Sequence, residues 1–134
     1  MLLVDTGVLY ALADRKDAWH ARVARYLEAN AGPFLAPVTI LAEVAYLMRT
    51  RLGARAEQAF AESLAEGEIA VEHLTHKDWK RTAQVMAAYN ALGFVDASVV
   101  AVAERLRLDT IATTDRRDFS IVRPLHIERF TLVP

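Results

Sequence analysis

The sequence predicts one α/β domain spanning residues 1–134, with a central, mostly parallel sheet of four or five strands and helices on both faces. Short apolar runs alternate along the chain with longer segments whose apolar residues recur at helical spacing. This order is typical of right-handed βαβ units. The length of 134 residues suits a single hydrophobic core, and the sequence contains no repeat or linker that would divide it.

The predicted strands are short and either apolar or β-branched. Residues 1–4 form a continuous apolar run, as expected for a strand that is buried on both faces of a parallel sheet. Four of residues 110–114 are β-branched, three threonines and one isoleucine, and such residues favour strands. The predicted strands are 1–4, 34–38, 69–74, 110–114 and 127–133.

The helices of the first half are predicted from apolar spacing and from glycines that end them. Trp19, Val23 and Leu27 lie four residues apart and define one helical face. The segment that starts at Thr39 is apolar almost all round in its first half, so we expect a buried helix that ends at Gly53. The predicted helices are 6–13, 17–30, 39–52 and 55–66.

The second half of the chain is expected to hold two more helices. Thr75 and Asp78 resemble a capping box, with Asp in place of the usual Glu, and the helix they open carries Trp79, Ala83 and Met86 at core spacing. The second helix is traced by four apolar residues, which are Val95, Val99, Val102 and Leu106.

Composition excludes several classes of protein. The chain has no cysteine, which rules out disulfides, thiolate zinc sites and a cysteine nucleophile. The 16 basic and 17 acidic residues give a net charge of −1, unlike a strongly basic nucleic-acid coat protein. No apolar run approaches the ~18 residues of a membrane span, and no signal peptide precedes the first acid, so we expect a cytoplasmic protein.

Four carboxylates stand in unusual surroundings. Asp5, Glu43 and Asp96 are each the only charged residue of an otherwise apolar segment, and Asp115 directly follows the strand-like run IATT. An ionised carboxylate is costly to bury without a partner, so these positions need an explanation. Each acid also has a purely structural interpretation, as a helix cap, a turn residue or a first-turn residue favoured by the helix dipole.

The four acids are expected at one edge of the sheet. Two of them follow predicted strands, and the other two open predicted helices near the same edge, where parallel α/β sheets place their sites. Four carboxylates in one place repel one another and favour a cation. Oxygen ligands without cysteine or paired histidines point to Mg²⁺ or Mn²⁺, which can activate water and support displacement at phosphorus.

Four sequence segments together carry a family resemblance. LVDTGVLYALAD, ILAEV, GFVDASVVAVAERL and IATTDRRDF resemble the PIN-domain ribonucleases and, among these, the VapC-type toxins of prokaryotic toxin–antitoxin pairs. The resemblance covers nearly the whole chain in the family's order. It implies a PIN-like three-layer α/β/α sandwich, Mg²⁺- or Mn²⁺-dependent endonucleolytic hydrolysis of RNA, a cognate antitoxin protein as partner, and a homodimer.

The resemblance also assigns roles to the acids. The family's four acids fall on Asp5, Glu43, Asp96 and Asp115, with Asp118 as an alternative for the fourth place. Asp115 is preferred because the predicted strand ends directly before it. By hypothesis Asp5 and Asp96 hold the metal ion, while Glu43 and Asp115 complete the site or position the attacking water.

Threonines and basic residues near these acids are candidates for supporting roles. Thr6 and Thr114 are expected to assist through their hydroxyls, which can orient a carboxylate or a water molecule. Basic residues follow the segments of the first and fourth acids, where they can meet phosphates or form a solvated surface. The candidate RNA contacts are Arg15, Lys16, Arg116 and Arg117.

Other functions fit the sequence less well. A receiver domain needs an acidic pair at the first strand end and a lysine near the last strand. A haloacid-dehalogenase-like phosphatase needs a second Asp where Gly7 stands. The main alternative is a catalytically inactive PIN-fold binding or assembly module. The helical hairpin of residues 39–52 and 55–66 is either core or, by resemblance, a surface for an antitoxin or a second protomer.

Overall fold

The computed structural model describes residues 1–30 and 32–134, and within them five strands form one sheet. The strands are β1 (Leu2–Val4), β2 (Phe34–Pro37), β3 (Ala70–Glu72), β4 (Thr110–Ala112) and β5 (Thr131–Val133). Their order is β3-β2-β1-β4-β5, and every neighbouring pair is parallel. The α/β prediction with a parallel sheet is therefore confirmed, although the strands are shorter than the sequence indicated.

Helices connect the strands. In the same part of the chain they are α1 (Thr6–Ala13), α2 (His20–Ala29), α3 (Val38–Leu47), α4 (Ala54–Ala65), α5 (His76–Ala88), α6 (Phe94–Leu106) and α7 (Arg116–Ser120). Between α3 and α4 the chain makes a π-helical turn, Met48–Leu52, which ends where Gly53 adopts a φ of 101°. Only glycine adopts this backbone angle at little cost, so the prediction of a helix break there has a physical basis.

Two helices, α2 and α7, differ from the prediction for local reasons. Helix α2 begins at His20 and not near residue 17, because the Asp17 carboxylate accepts a hydrogen bond from the Trp19 amide at 2.8 Å and holds a turn. Helix α7 was not predicted. Asp115 caps it by accepting from the Asp118 amide at 3.3 Å.

The prediction that Trp79 belongs to the core is wrong. The capping box of Thr75 and Asp78 is present, but the buried face of α5 is formed by Asp78, Thr82 and Val85, and Trp79 is 43% exposed. The buried Asp78 carboxylate accepts from the Arg105 guanidinium of α6 at 2.8 Å. This ion pair lies between α5 and α6, on the face of α5 that also buries Val85.

The core surrounds the central strand β1. Leu3 and Val4 are fully buried, as are Ile111 of β4 and Val99 of α6. The Asp5 amide donates to the Ala112 carbonyl at 3.0 Å, which extends the β1–β4 ladder one residue beyond the strands. The first acid is thus fixed beside the end of β4. Among residues 1–30 and 32–134, no helix has the length and apolar character needed to cross a membrane.

Candidate active site

The four acids singled out in the sequence line one cavity of about 460 Å³ at the carboxyl edge of the sheet. Asp5 follows β1, and Asp115 follows β4. Glu43 lies on α3 and Asp96 in the first turn of α6. The hydroxyls of Thr39 and Ser98, 2.6 Å apart, join these two helices. The structure therefore brings together residues that are far apart in the sequence.

Asp5 is the most buried of these acids, with 5% of its surface exposed. One carboxylate oxygen accepts from the Thr6 amide at 2.7 Å and the other from the Thr113 hydroxyl at 3.0 Å. Burial raises the pKa of Asp5 to about 6, although these two hydrogen bonds lower it. The negative charges of Glu43 and Asp115 add to the rise. The carboxylate is held in one orientation but is expensive to ionise.

Asp96 is surrounded by other carboxylates. Burial raises its pKa to about 7, and the charges of Asp5, Asp115, Asp118 and Glu43 add to the effect. One oxygen each of Asp96, Asp115 and Asp118 lies within 4.8 Å of the other two. Burial and the charge of Asp115 also raise the pKa of Asp118. Asp115 and Asp118 therefore lie in one cluster, and their positions do not exclude either from the fourth place.

Thr113 links the Asp5 carboxylate to the backbone of Asp115, and the sequence reasoning missed it. Its hydroxyl donates to Asp5 and accepts from the Asp115 amide at 2.9 Å. Residues 111 and 112 of β4 pair with Leu3 and Val4, so Thr113 is the next residue in register and lies beside Asp5. Strand register was the signal that would have added Thr113 to the predicted Thr114, which lines the cavity with its side chain close to Gly7 and whose supporting role stays a prediction.

The donor set fits a hard divalent cation. Oxygen atoms of carboxylates and threonines surround the cavity, and within the described ranges no lysine or arginine lines it. The buried Thr6 hydroxyl has no hydrogen-bond partner among residues 1–30 and 32–134, and Thr6 is part of the cavity wall. Among the described residues, the unpaired hydroxyl and the two cavity acids with raised pKa values, Asp5 and Asp96, have no positively charged group beside them. Mg²⁺ or Mn²⁺ would be such a group.

Comparison with known proteins settles the family. The PIN domain family model matches residues 2–123. The chain belongs to the PIN-domain family. This confirms the resemblance drawn from the sequence, and it agrees with the parallel sheet and its helical layers.

Relatives of this PIN domain cover its full length. Ribonuclease VapC26 of Mycobacterium tuberculosis is 33% identical over 135 residues, which is 99% of this chain and 100% of the relative. The crystal structure of Mycobacterium tuberculosis VapC20, described as a Sarcin-Ricin loop cleaving toxin, superposes with a TM-score of 0.82 at 27% identity, covering 96% of this chain and 99% of that one. DNA-bound VapBC from Salmonella typhimurium shares the fold, with a TM-score of 0.73 at 19% identity over 98% of both chains.

The basic residues predicted to contact RNA are all on the surface of the PIN domain. Arg15, Lys16 and Arg117 are exposed. Arg116 is exposed too, but its guanidinium lies 5.9 Å from the centre of the Trp19 ring and donates to the Pro134 carbonyl. Arg116 is therefore held against the protein. Contact of Arg15, Lys16 and Arg117 with RNA stays a prediction.

Gly7 allows α1 to approach the end of β4. A Cβ atom at this position would lie 2.0 Å from the Thr114 hydroxyl oxygen, a distance that no side chain can accept. Gly7 follows Asp5 by two residues, and both residues line the acidic cavity. The missing side chain thus sets the spacing between the first acid and the β4 edge.

Replacing Gly7 by Ala is expected to destabilise the PIN domain by about 1–3 kcal/mol, the usual cost of overpacking. Removing the threonine hydroxyl in Gly7→Ala/Thr114→Ala should restore most of this loss, since the closest clash is with that oxygen. Urea denaturation of both variants and of Thr114→Ala alone measures the effect. Equal destabilisation in the single and double variants would show that the clash is not the cause.

Proposed function

We propose that this PIN domain is a metal-dependent endoribonuclease that acts as the toxin of a toxin–antitoxin pair. The observation that carries the proposal is the convergence of Asp5, Glu43, Asp96 and Asp115 on one cavity. The full-length similarity to a ribonuclease and to a sarcin-ricin loop cleaving toxin supports RNA as substrate. An inactive binding module, the alternative function, would have no need for four acids on one cavity, where nearby carboxylate charges help to raise the pKa values of Asp5 and Asp96.

Asp5 and Asp96 would hold Mg²⁺ or Mn²⁺, which activates water for attack and stabilises the charge that develops at phosphorus. Glu43 and Asp115 would complete the site or position the attacking water, with Asp118 beside them. Thr113 keeps Asp5 in place through its 3.0 Å hydrogen bond, so the carboxylate does not have to reorganise when substrate binds. Thr6 contributes a second hydroxyl to the wall of the cavity.

An antitoxin protein is the partner that the relatives support. The Salmonella structure is of DNA-bound VapBC, and a second structural neighbour is a toxin–antitoxin complex from Klebsiella pneumoniae. This PIN domain has an apolar groove of about 510 Å³ between α1, the π-helical turn and α4, with Leu9, Met48 and Phe60 among its lining residues. Part of the predicted hairpin surface is therefore open to an apolar segment.

We further propose a single-domain chain, a homodimer and action in the cytoplasm.

Wild-type protein should cleave single-stranded RNA in Mg²⁺ or Mn²⁺ and lose activity in EDTA. Asp96→Asn should lower the rate at least about a hundredfold, since it removes a carboxylate from the ion and from the water it activates. Glu28→Gln, a change to an exposed acid on α2, is the matched control and should keep full activity. Cleavage that persists in EDTA or in Asp96→Asn would contradict the proposal.

A further inference from the structure

Two exposed aromatic side chains stack on each other at the surface. Trp79 of α5 and Phe94 of α6 have ring centres 6.0 Å apart and ring planes inclined by 10°. Their exposed fractions are 43% and 49%, which is unusual for such large apolar groups. The nearly parallel rings form one exposed stacked pair, called here the aromatic step, and the proposed cleavage chemistry does not use it.

This aromatic step adjoins the acidic cavity. Phe94 lines the cavity together with Gly93, Val95 and Asp96. It is the first residue of α6, and Asp96 lies two positions later in the same helical turn. A phosphate bound at the acids would therefore place a neighbouring nucleotide within reach of the Phe94 ring.

The chemistry of the step suits a nucleobase. Bases stack on aromatic side chains in single-stranded RNA recognition, because every base has a π-face. The contact between Trp79 and Phe94 fixes the orientation of both rings, so little conformational freedom is lost when a base joins them. Lys77 and Lys80, which flank Trp79 on α5, are exposed and add positive charge that favours a phosphate backbone.

We propose that Phe94, supported by Trp79, stacks an unpaired base of the RNA next to the scissile phosphate. The inference rests on the proposed function and deepens it by assigning a base-binding subsite. A base inside a duplex has both faces covered by its neighbours and cannot join the step. The subsite therefore selects RNA that is single-stranded, bulged or looped at the cleavage point.

The test separates base stacking from phosphate attraction. Binding is measured by fluorescence anisotropy with a labelled oligouridylate of about ten nucleotides and with an abasic oligomer of the same length and charge. Ca²⁺ replaces Mg²⁺ in this assay, because it accepts the same oxygen ligands in a looser geometry. The variants are Phe94→Leu, which removes the ring, Phe94→Tyr, which keeps it, and Leu125→Ala, which removes exposed apolar surface elsewhere.

Phe94→Leu should weaken binding of oligouridylate about tenfold and leave binding of the abasic oligomer unchanged, whereas Phe94→Tyr and Leu125→Ala should bind both as wild type does. Equal losses with both oligomers, or no loss with either, would overturn the proposal. A third outcome would also overturn the proposal. If the wild type is dimeric in sedimentation and Phe94→Leu is monomeric but still prefers oligouridylate to the abasic oligomer, the aromatic step is a contact between subunits.

The cleavage assay is read separately from this binding assay. If the wild type binds oligouridylate in a ring-dependent way but cuts no RNA in Mg²⁺ or Mn²⁺, the proposed function fails and the subsite stands. If the wild type cuts RNA and Phe94→Leu shows no change in base preference or in KM, the function stands and the subsite fails.

Discussion

Replacing Asp5 by Asn is expected to abolish RNA cleavage while making the metal-free protein more stable at neutral pH. The activity should fall at least about a thousandfold, because the central acid of the cavity can no longer offer a charged oxygen to the ion. The gain in stability follows from burial, which raises the pKa of Asp5 from 3.8 to about 6. Ionising Asp5 in the folded protein therefore costs about 3 kcal/mol, an upper value for the gain.

The sign of this effect depends on pH. The folded protein binds the Asp5 proton more tightly than the unfolded chain does, so the contribution of Asp5 to stability is largest below about pH 4, falls as pH rises through about 6, and levels off above it. Asp5→Asn removes that fall. Urea denaturation in EDTA should show a gain of about 2 kcal/mol near pH 7.5 and almost none near pH 4.

The substitution is well matched in shape. The new amide can donate to the Thr113 hydroxyl oxygen, which now accepts only from the Asp115 amide and has a second lone pair, and the remaining oxygen can still accept from the Thr6 amide. Asp109→Asn changes an exposed acid and should leave both activity and stability near the wild-type values. A variant at residue 5 that is inactive but less stable in EDTA at neutral pH would contradict the burial argument.

The affinity for Mg²⁺ or Mn²⁺ is expected to rise steeply between about pH 5 and pH 7 and to level off above it. An ion held by carboxylates displaces the protons on Asp5 and Asp96, whose pKa values burial raises to about 6 and about 7. Affinity should increase about tenfold per pH unit while one proton is displaced, and up to about a hundredfold per unit while two are displaced. Metal binding thus opposes the loss of stability that rising pH causes in the metal-free protein.

Calorimetric titration in buffers of different ionisation enthalpy counts the protons released. Near pH 6 the wild type should release more than one proton per ion, and Asp96→Asn should release fewer. Binding that is independent of pH over this range, without proton release, would show that Asp5 and Asp96 are not the ligands.

The fold could be predicted from the sequence because strands and helices that alternate along a chain can be connected in only a few ways. Apolar strands such as residues 1–4, separated by amphipathic helices, leave a sheet with its strand ends at one edge. The same rule predicted that Asp5 and Asp115 would meet, and the structure places them on one cavity wall. Their catalytic roles remain predictions, since geometry gives proximity and not activity.

What the sequence did not reveal depends on contacts between distant residues. Thr113 acts on Asp5 across the β1–β4 register, which no local pattern encodes. The buried face of α5 includes Asp78, which pairs with Arg105 of α6, whereas apolar spacing alone assigned Trp79 to the core. Helix α7 has only five residues, too few for a periodic signal.

The hydrogen bond between Thr113 and Asp5 joins residues 108 positions apart. During translation the amino-terminal strand emerges long before β4, so the acids from the two ends of the chain cannot become neighbours until most of the polypeptide has left the ribosome. A nascent chain therefore lacks the complete acidic site until residues 110–118 have been synthesised and have folded against β1. Late assembly of the site would delay nuclease activity until this stage of synthesis.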